Sequence, residues 1–138
     1  MRSLVIVPTY NEVENIRPLV TEIFAAVTSA GLGTDFAVLV VDDNSPDGTG
    51  KAVQELQKSM SFGGLHLLSR PGKHGLGRAY IAGFKWGLEQ GYEVLVEMDA
   101  DFSHRPVDLV KLLTAVRDGA DFAIGSAKLL TEKGLHSR

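Results

Sequence analysis

Apolar residues in this chain fall into short β-branched runs separated by longer stretches where they recur at helical spacing. Leu4-Val5-Ile6-Val7 reads as a buried strand that stops at Pro8. From Glu12 to Ala30, Ile16, Leu19, Val20, Ile23, Phe24 and Val27 mark one face of a helix, closed by Gly31. Phe36 to Val41 is a second apolar strand ending at Asp42-Asp43, and Asn44-Ser45-Pro46-Asp47-Gly48 is dense turn chemistry. A helix carrying Ala52, Val53, Leu56 and Met60 follows, then a short strand, Leu65-His66-Leu67-Leu68. A Gly-rich basic loop, Arg70 to Gly77, leads into a helix with Ala79, Ile81, Ala82, Phe84, Trp86 and Leu88, stopped by Gly91. Val94 to Met98 is the fourth strand and runs into Asp99-Ala100-Asp101. Pro106 suits the first turn of a helix with Leu109, Leu112, Leu113 and Val116 on its apolar face. Ala120 to Ile124 is the fifth strand, ending at Gly125-Ser126, and Ala127 to Arg138 is a polar run with no partner to finish the fold.

Five strands alternating with four helices predict an α/β domain, a mainly parallel sheet with helices on both faces. The 138 residues suit one domain, large enough to bury roughly 70% of the surface its unfolded chain exposes. The composition, 44% hydrophobic and 22% charged, is that of a soluble globular protein. A net charge of −3 gives no electrostatic case for nucleic-acid binding. The absence of cysteine removes disulfides, thiolate zinc sites and a catalytic thiol. No apolar run is long enough for a signal peptide or a spanning helix.

Ligands of open α/β sheets bind beyond the carboxyl ends of the strands, and the polar clusters of this chain sit there. Pro8-Thr9-Tyr10-Asn11-Glu12 follows the first strand, Asp42-Asp43 the second, and Asp99-Ala100-Asp101 the fourth. Each alone also suits a helix cap, Asp47 most of all. Asp99 and Asp101, two apart in an extended segment, point to one side. Paired carboxylates repel unless a cation lies between them, and Mg²⁺ or Mn²⁺ completes such a shell with phosphate oxygens. Competing phosphate motifs fail. Gly50-Lys51-Ala52 and Gly72-Lys73-His74 lack the hydroxyl that a P-loop needs after lysine, and no G-x-G-x-x-G follows the first strand. A phospho-receiver domain would place its acidic pair after the first strand. The histidines look ordinary: His66 in a strand, His136 in the tail, His74 and His104 bordering the site. Phe84 and Trp86 read as packing, and the basic loop reads equally as a phosphate-approaching segment or as the lead-in to a helix.

Val7-Pro8-Thr9-Tyr10-Asn11-Glu12, Val41-Asp42-Asp43-Asn44-Ser45-Pro46-Asp47-Gly48-Thr49, Gly75-Leu76-Gly77 with Ala79-Tyr80, and Met98-Asp99-Ala100-Asp101-Phe102-Ser103-His104 occur in order. Together they resemble the dolichyl-phosphate (polyprenyl-phosphate) mannosyltransferases of glycosyltransferase family 2. The resemblance implies a GT-A fold and inverting transfer of mannose from GDP-mannose to a polyprenyl phosphate, with a divalent metal, Mg²⁺ or Mn²⁺. By the same resemblance Pro8, Tyr10 and Glu12 line the nucleotide site, and Val41 and Asp43 hold the guanosine end. Asp99, Ala100 and Asp101 meet the diphosphate and sugar through the metal, with Asp99 and Asp101 the catalytic pair. Ser103 stands where relatives place a further metal-site residue. It further implies a protein peripheral to the cytoplasmic face of a membrane, with a partner chain as an anchor.

The chain departs from that family after Gly125-Ser126, where an arginine that helps bind the donor phosphates is replaced by Ala127, followed by Lys128. Residues 1–126 therefore read as the nucleotide-sugar-binding part of a GT-A domain incomplete at its C-terminal side, and 127–138 as a divergent tail. The alternatives are a nucleotide- and metal-binding half-domain with little transferase activity, or a family 2 transferase using another nucleotide sugar. Uncovered apolar area on the fifth strand or its neighbouring helix predicts self-association.

Overall fold

The computed structural model describes residues 2–60, 63–72, 75–119, 128–131 and 134–136. Its elements run β1 (Ser3–Thr9), α1 (Val13–Ser29), β2 (Phe36–Asp42), α2 (Thr49–Ser59), β3 (Leu65–Ser69), α3 (Leu76–Glu89), β4 (Val94–Glu97), α4 (Pro106–Arg117), β5 (Lys128–Thr131) and β6 (Gly134–His136). The strands form one sheet in the order β3-β2-β1-β4-β5-β6. β3, β2, β1 and β4 are parallel, as the alternating pattern predicts, while β5 and β6 join antiparallel.

The period-two alternation of the strands divides the core. Val5, Val7, Val38, Val40, Val94 and Val96 face α1, α2 and α4, and meet Ile16, Leu19, Ile23, Val53, Leu109 and Leu112. Leu4, Ile6, Leu39, Val41 and Leu95 face the other way, toward α3. Strands buried on both faces are continuous apolar runs for this reason, and every residue of β1 and β2 is buried.

The structure differs from the sequence expectation in α3. Ile81 and Leu88, assigned there to the apolar face, are 65% and 49% exposed. The face against the sheet is instead Ala79, Tyr80, Gly83 and Gly87. A Cβ at Gly83 would stand 2.5 Å from Ile6 Cγ2, and one at Gly87 would stand 2.7 Å from a Leu95 methyl. Absent side chains let the helix axis come close to the sheet, so the small residues mark the buried face.

The C-terminal run differs as well. Read as a polar stretch without a partner, it contributes β5, which pairs antiparallel with β4 from Glu97↔Lys128 to Val94↔Thr131, and then β6. Main-chain pairing with the open edge of β4 needs no hydrophobic periodicity, which is why the pattern did not reveal it. The fifth strand expected at 120–124 lies outside the described residues, as does the part of the self-association surface argued from that strand. Among the described residues no helix is long and apolar enough to cross a membrane.

Candidate active site

Strand order turns between β1 and β4: the chain winds outward through β2 and β3, then returns to the other side of β1. Such a switch point opens a crevice at the carboxyl ends of the strands. A cavity of about 280 Å³ lies there. Pro8, Tyr10 and Glu12 reach it from the end of β1, Asp43 from β2, and Asp99, Ala100 and Asp101 from β4. Gly75, Leu76 and Ala79 close it from the start of α3. Most residues singled out in the sequence are thus brought together. Two are not: Val41 is fully buried between the sheet and α3, and Ser103 stands outside the cavity lining, bonded to Asp101.

The loops that carry these groups are braced to one another. Asp42, buried at the end of β2, accepts hydrogen bonds from the Thr9 hydroxyl at 2.7 Å, the Ser45 hydroxyl at 2.6 Å and the Ser45 N–H at 3.1 Å. The Asn11 N–H in turn donates to Ser45 Oγ at 2.9 Å. Asp47 Oδ2 accepts the Val13 N–H at 3.1 Å, while its Oδ1 accepts the Thr49 N–H at 3.0 Å. One carboxylate therefore caps the first turns of α1 and α2 together. Asp47 lies at the surface; the desolvation it does undergo works to raise its pKa, but the bonds from the Thr49 hydroxyl, the Val13 N–H and the Thr49 N–H outweigh it and hold it below the usual carboxylate range.

At each of the three strand ends a non-glycine residue turns through the left-handed region: Asn11 at φ 57°, Asn44 at φ 56° and Phe102 at φ 65°. Asparagine tolerates that conformation, whereas phenylalanine is strained in it by about 1 kcal/mol. Phe102, half-buried, packs against the larger core cluster, which holds the turn in place beside Asp101 at the cavity. Gly75 has φ 94° and ψ 157°, a conformation that side chains exclude, at the point where the basic loop enters α3.

The acidic groups differ in their surroundings. Asp43 is buried and has the Arg70 guanidinium 3.4 Å from its Oδ1. Arg70, read as part of a phosphate-approaching loop, thus directs its charge to Asp43; Lys73 and His74 lie outside the described residues. Asp101 Oδ1 accepts the Ser103 N–H at 2.9 Å. Bonds from the Ser103 hydroxyl and N–H hold the Asp101 carboxyl below its ordinary range. Asp99 Oδ1 accepts the Tyr80 hydroxyl at 2.6 Å, and the Asp99 N–H donates to His104 Nδ1 at 3.3 Å. Burial first, then the bond to Asp99 and the negative charge of Asp99, Glu97 and Asp101, raise the Tyr80 phenol far above its usual pKa. It therefore stays protonated, as a donor, at any ordinary pH.

Thr9, Asp42, Phe102 and Tyr80 appear in the sequence reading only as members of clusters or motifs, without a role of their own. A buried acid with hydroxyls spaced to reach it, Thr9 and Ser45, was the available signal for Asp42. Nothing in the sequence pairs Tyr80 with Asp99, because that contact crosses from a helix to a loop.

Residues 4–134 match the family described as glycosyl transferase family 2. Over 125 residues the chain is 52% identical to the polyprenol monophosphomannose synthase of Mycolicibacterium smegmatis, covering 91% of this chain and 44% of that protein. Over 129 residues it is 50% identical to the undecaprenyl-phosphate mannosyltransferase of Micrococcus luteus, covering 94% and 49%. The chain thus spans less than half the length of these curated relatives. Among solved structures it is similar to the mannosyltransferase PcManGT from Pyrobaculum calidifontis in complex with GDP-Man and Mn²⁺, at a TM-score of 0.62 and 30% identity, over 72% of this chain and 27% of that one. The expected GT-A architecture is the one these comparisons share. With the match running from β1 into β6, the chain belongs to glycosyl transferase family 2.

Proposed function

We propose that this chain forms the donor-binding part of a mannosyltransferase that takes mannose from GDP-mannose and passes it, with inversion, to a polyprenyl phosphate. The convergence of Asp99, Asp101 and Asp43 on one crevice at the β1/β4 switch point carries the reading. The names of the relatives, both polyprenyl-phosphate mannose enzymes, supply the substrate classes. The complex of the Pyrobaculum enzyme suggests the donor and a divalent metal.

The donor set fits a hard divalent ion. Asp99 gives Oδ1 to the Tyr80 hydroxyl and Asp101 gives Oδ1 to the Ser103 N–H, so the Oδ2 atoms are the oxygens we assign to a cation. Mg²⁺ and Mn²⁺ are commonly held by one or two carboxylates plus substrate phosphates. Among the described residues no group of three His, Cys, Asp or Glu side chains is placed to hold a metal. The remaining ligands would come from the diphosphate and water, with Ser103, next to Asp101, the further side chain the resemblance offers. An ion held by Asp99 and Asp101 would supply positive charge to offset the negative charge that builds on a departing GDP.

Asp43, at the β2 side of the crevice, is suited to accept hydrogen bonds from the guanine edge, with Arg70 fixing its orientation. Pro8, Tyr10 and Glu12 form the β1 wall of the nucleotide site, while Val41, buried beneath the crevice, supports the end of β2 rather than lining it. Ala100 is buried between the two acids and keeps that floor narrow. The acceptor needs no strong protein base, since a phosphate monoester with a second pKa near ~6 is largely ionised at neutral pH. His104, whose Nδ1 is occupied by the Asp99 N–H, is not arranged as one. A lipid acceptor would put the reaction at a membrane surface; the cytoplasmic face and an anchoring partner chain are the further expectations of the family resemblance.

The second reading, a nucleotide- and metal-binding half-domain, is favoured by Ala127, which stands where the family pattern has a phosphate-binding arginine. Incubating the chain with GDP-mannose, Mn²⁺ and a detergent-solubilised polyprenyl phosphate separates the two. Mannosyl lipid is the expected product; donor binding without product would select the half-domain.

A further inference from the structure

Asp99 is gripped at both its side chain and its backbone. Tyr80 approaches from α3 with its hydroxyl 2.6 Å from Oδ1, and His104 approaches from the following loop with Nδ1 3.3 Å from the backbone nitrogen. Tyr80 is only 8% exposed, and its ring stacks on Phe84 with centroids 6.0 Å apart. Gly83, on the same face of α3, is seated against Ile6 with no room for a methyl group. The phenol is therefore delivered from a helix that cannot shift along or away from the sheet without losing its closest packing.

The geometry selects between the two oxygens of one carboxylate. With Oδ1 committed to the phenol, Oδ2 is the oxygen of Asp99 available to a cation in the crevice. Without the phenol, the carboxylate is free to rotate about its terminal torsion, which is soft, and repulsion from Asp101 favours doing so. We propose that Tyr80 is a positioning residue that orients Asp99 toward the cation and diphosphate, with His104 fixing the backbone of the same residue. The proposal rests on the metal–nucleotide reading of the crevice. Residues behind a metal ligand often change metal affinity by 10–100-fold without touching the ion.

The test is Mn²⁺ affinity, read by the paramagnetic resonance of free Mn²⁺ titrated into the 138-residue chain at saturating GDP. Tyr80→Phe should weaken Mn²⁺ binding by about 10-fold or more, while GDP affinity measured in chelator stays unchanged. His104→Ala should weaken Mn²⁺ in the same way, and His104→Asn should restore it, because its amide oxygen can accept the bond that Nδ1 accepts. Wild-type Mn²⁺ affinity in Tyr80→Phe overturns the proposal, as does an equal loss of GDP affinity in chelator, which would make Tyr80 a packing residue. If Tyr80→Phe does not fold, the histidine pair decides: equal Mn²⁺ affinity in His104→Ala, His104→Asn and wild type overturns it. A wild-type chain that binds no Mn²⁺ beside GDP overturns the metal–nucleotide reading itself, a result distinct from the others.

Discussion

At the scale of single residues, the crevice is organised by carboxylates that do not face it. Asp42 ties β1, β2 and the turn after β2 through Thr9 and Ser45, while the neighbouring Asp43 lines the crevice. Thr9→Val keeps the shape of the side chain and removes one hydrogen bond to a buried charge. It should cost about 1.5–3 kcal/mol in urea denaturation; a change within error would mean that Ser45 alone satisfies Asp42. Asp47 has the opposite exposure, at the surface, and its pKa is lowered by the bonds it accepts. A group with a depressed folded pKa contributes stability above its unfolded pKa and loses that contribution as pH falls through the folded value. The stability gap between wild type and Asp47→Asn should therefore be constant above about pH 5 and close as the pH drops below the ordinary carboxylate value near ~4. Acid titrations of both proteins followed by circular dichroism would show it. A gap that does not narrow with acid would exclude the charge of Asp47 as its origin.

At the scale of elements, α3 shows what a hydrophobic pattern conveys and what it omits. Each of the eight elements through α4 is found where the pattern put it, within a few residues, because strands buried on both faces and amphipathic helices leave strong signatures. The rotation of α3 was not legible. Its contact face is made of small residues, which hydrophobicity cannot distinguish from spacers, while Ile81 and Leu88 suggested the wrong side. Two alanine substitutions on this one helix test the correction by opposite signs. At Gly83 the new methyl would press on Ile6, a β-branched side chain with little freedom to move. Overpacking of about 1–3 kcal/mol then exceeds the ~1 kcal/mol gained in helix propensity, and Gly83→Ala should be destabilising. At Gly77 nothing lies within 4 Å, so Gly77→Ala should stabilise by up to ~1 kcal/mol. Equal effects at the two positions would place the sheet-facing side elsewhere. The β5–β6 hairpin was hidden for a different reason: it is held in place by main-chain pairing to β4.

At the scale of the whole molecule, the place of the candidate site follows from where the chain reverses its winding. Strand ends distant in sequence meet at the β1/β4 crevice, and the three acidic or polar clusters visible in the sequence are the three that line it. That convergence was legible because motifs at consecutive strand ends of a parallel sheet share one edge. The brackets between them, Tyr80 to Asp99 and Asp47 to Val13, were not, since each joins residues whose proximity only the tertiary fold creates. With two carboxylates and no third ligand of their kind at hand among the described residues, metal and nucleotide should bind together and each weakly alone. The measurement that tests this most directly is a calorimetric titration of GDP-mannose into the chain with Mn²⁺ and again with chelator, repeated on an Asp99→Ala, Asp101→Ala double variant. The account predicts binding that needs Mn²⁺ for most of its affinity and that loses this dependence in the variant. Equal binding with and without metal, or a variant as responsive to Mn²⁺ as the wild type, would contradict it.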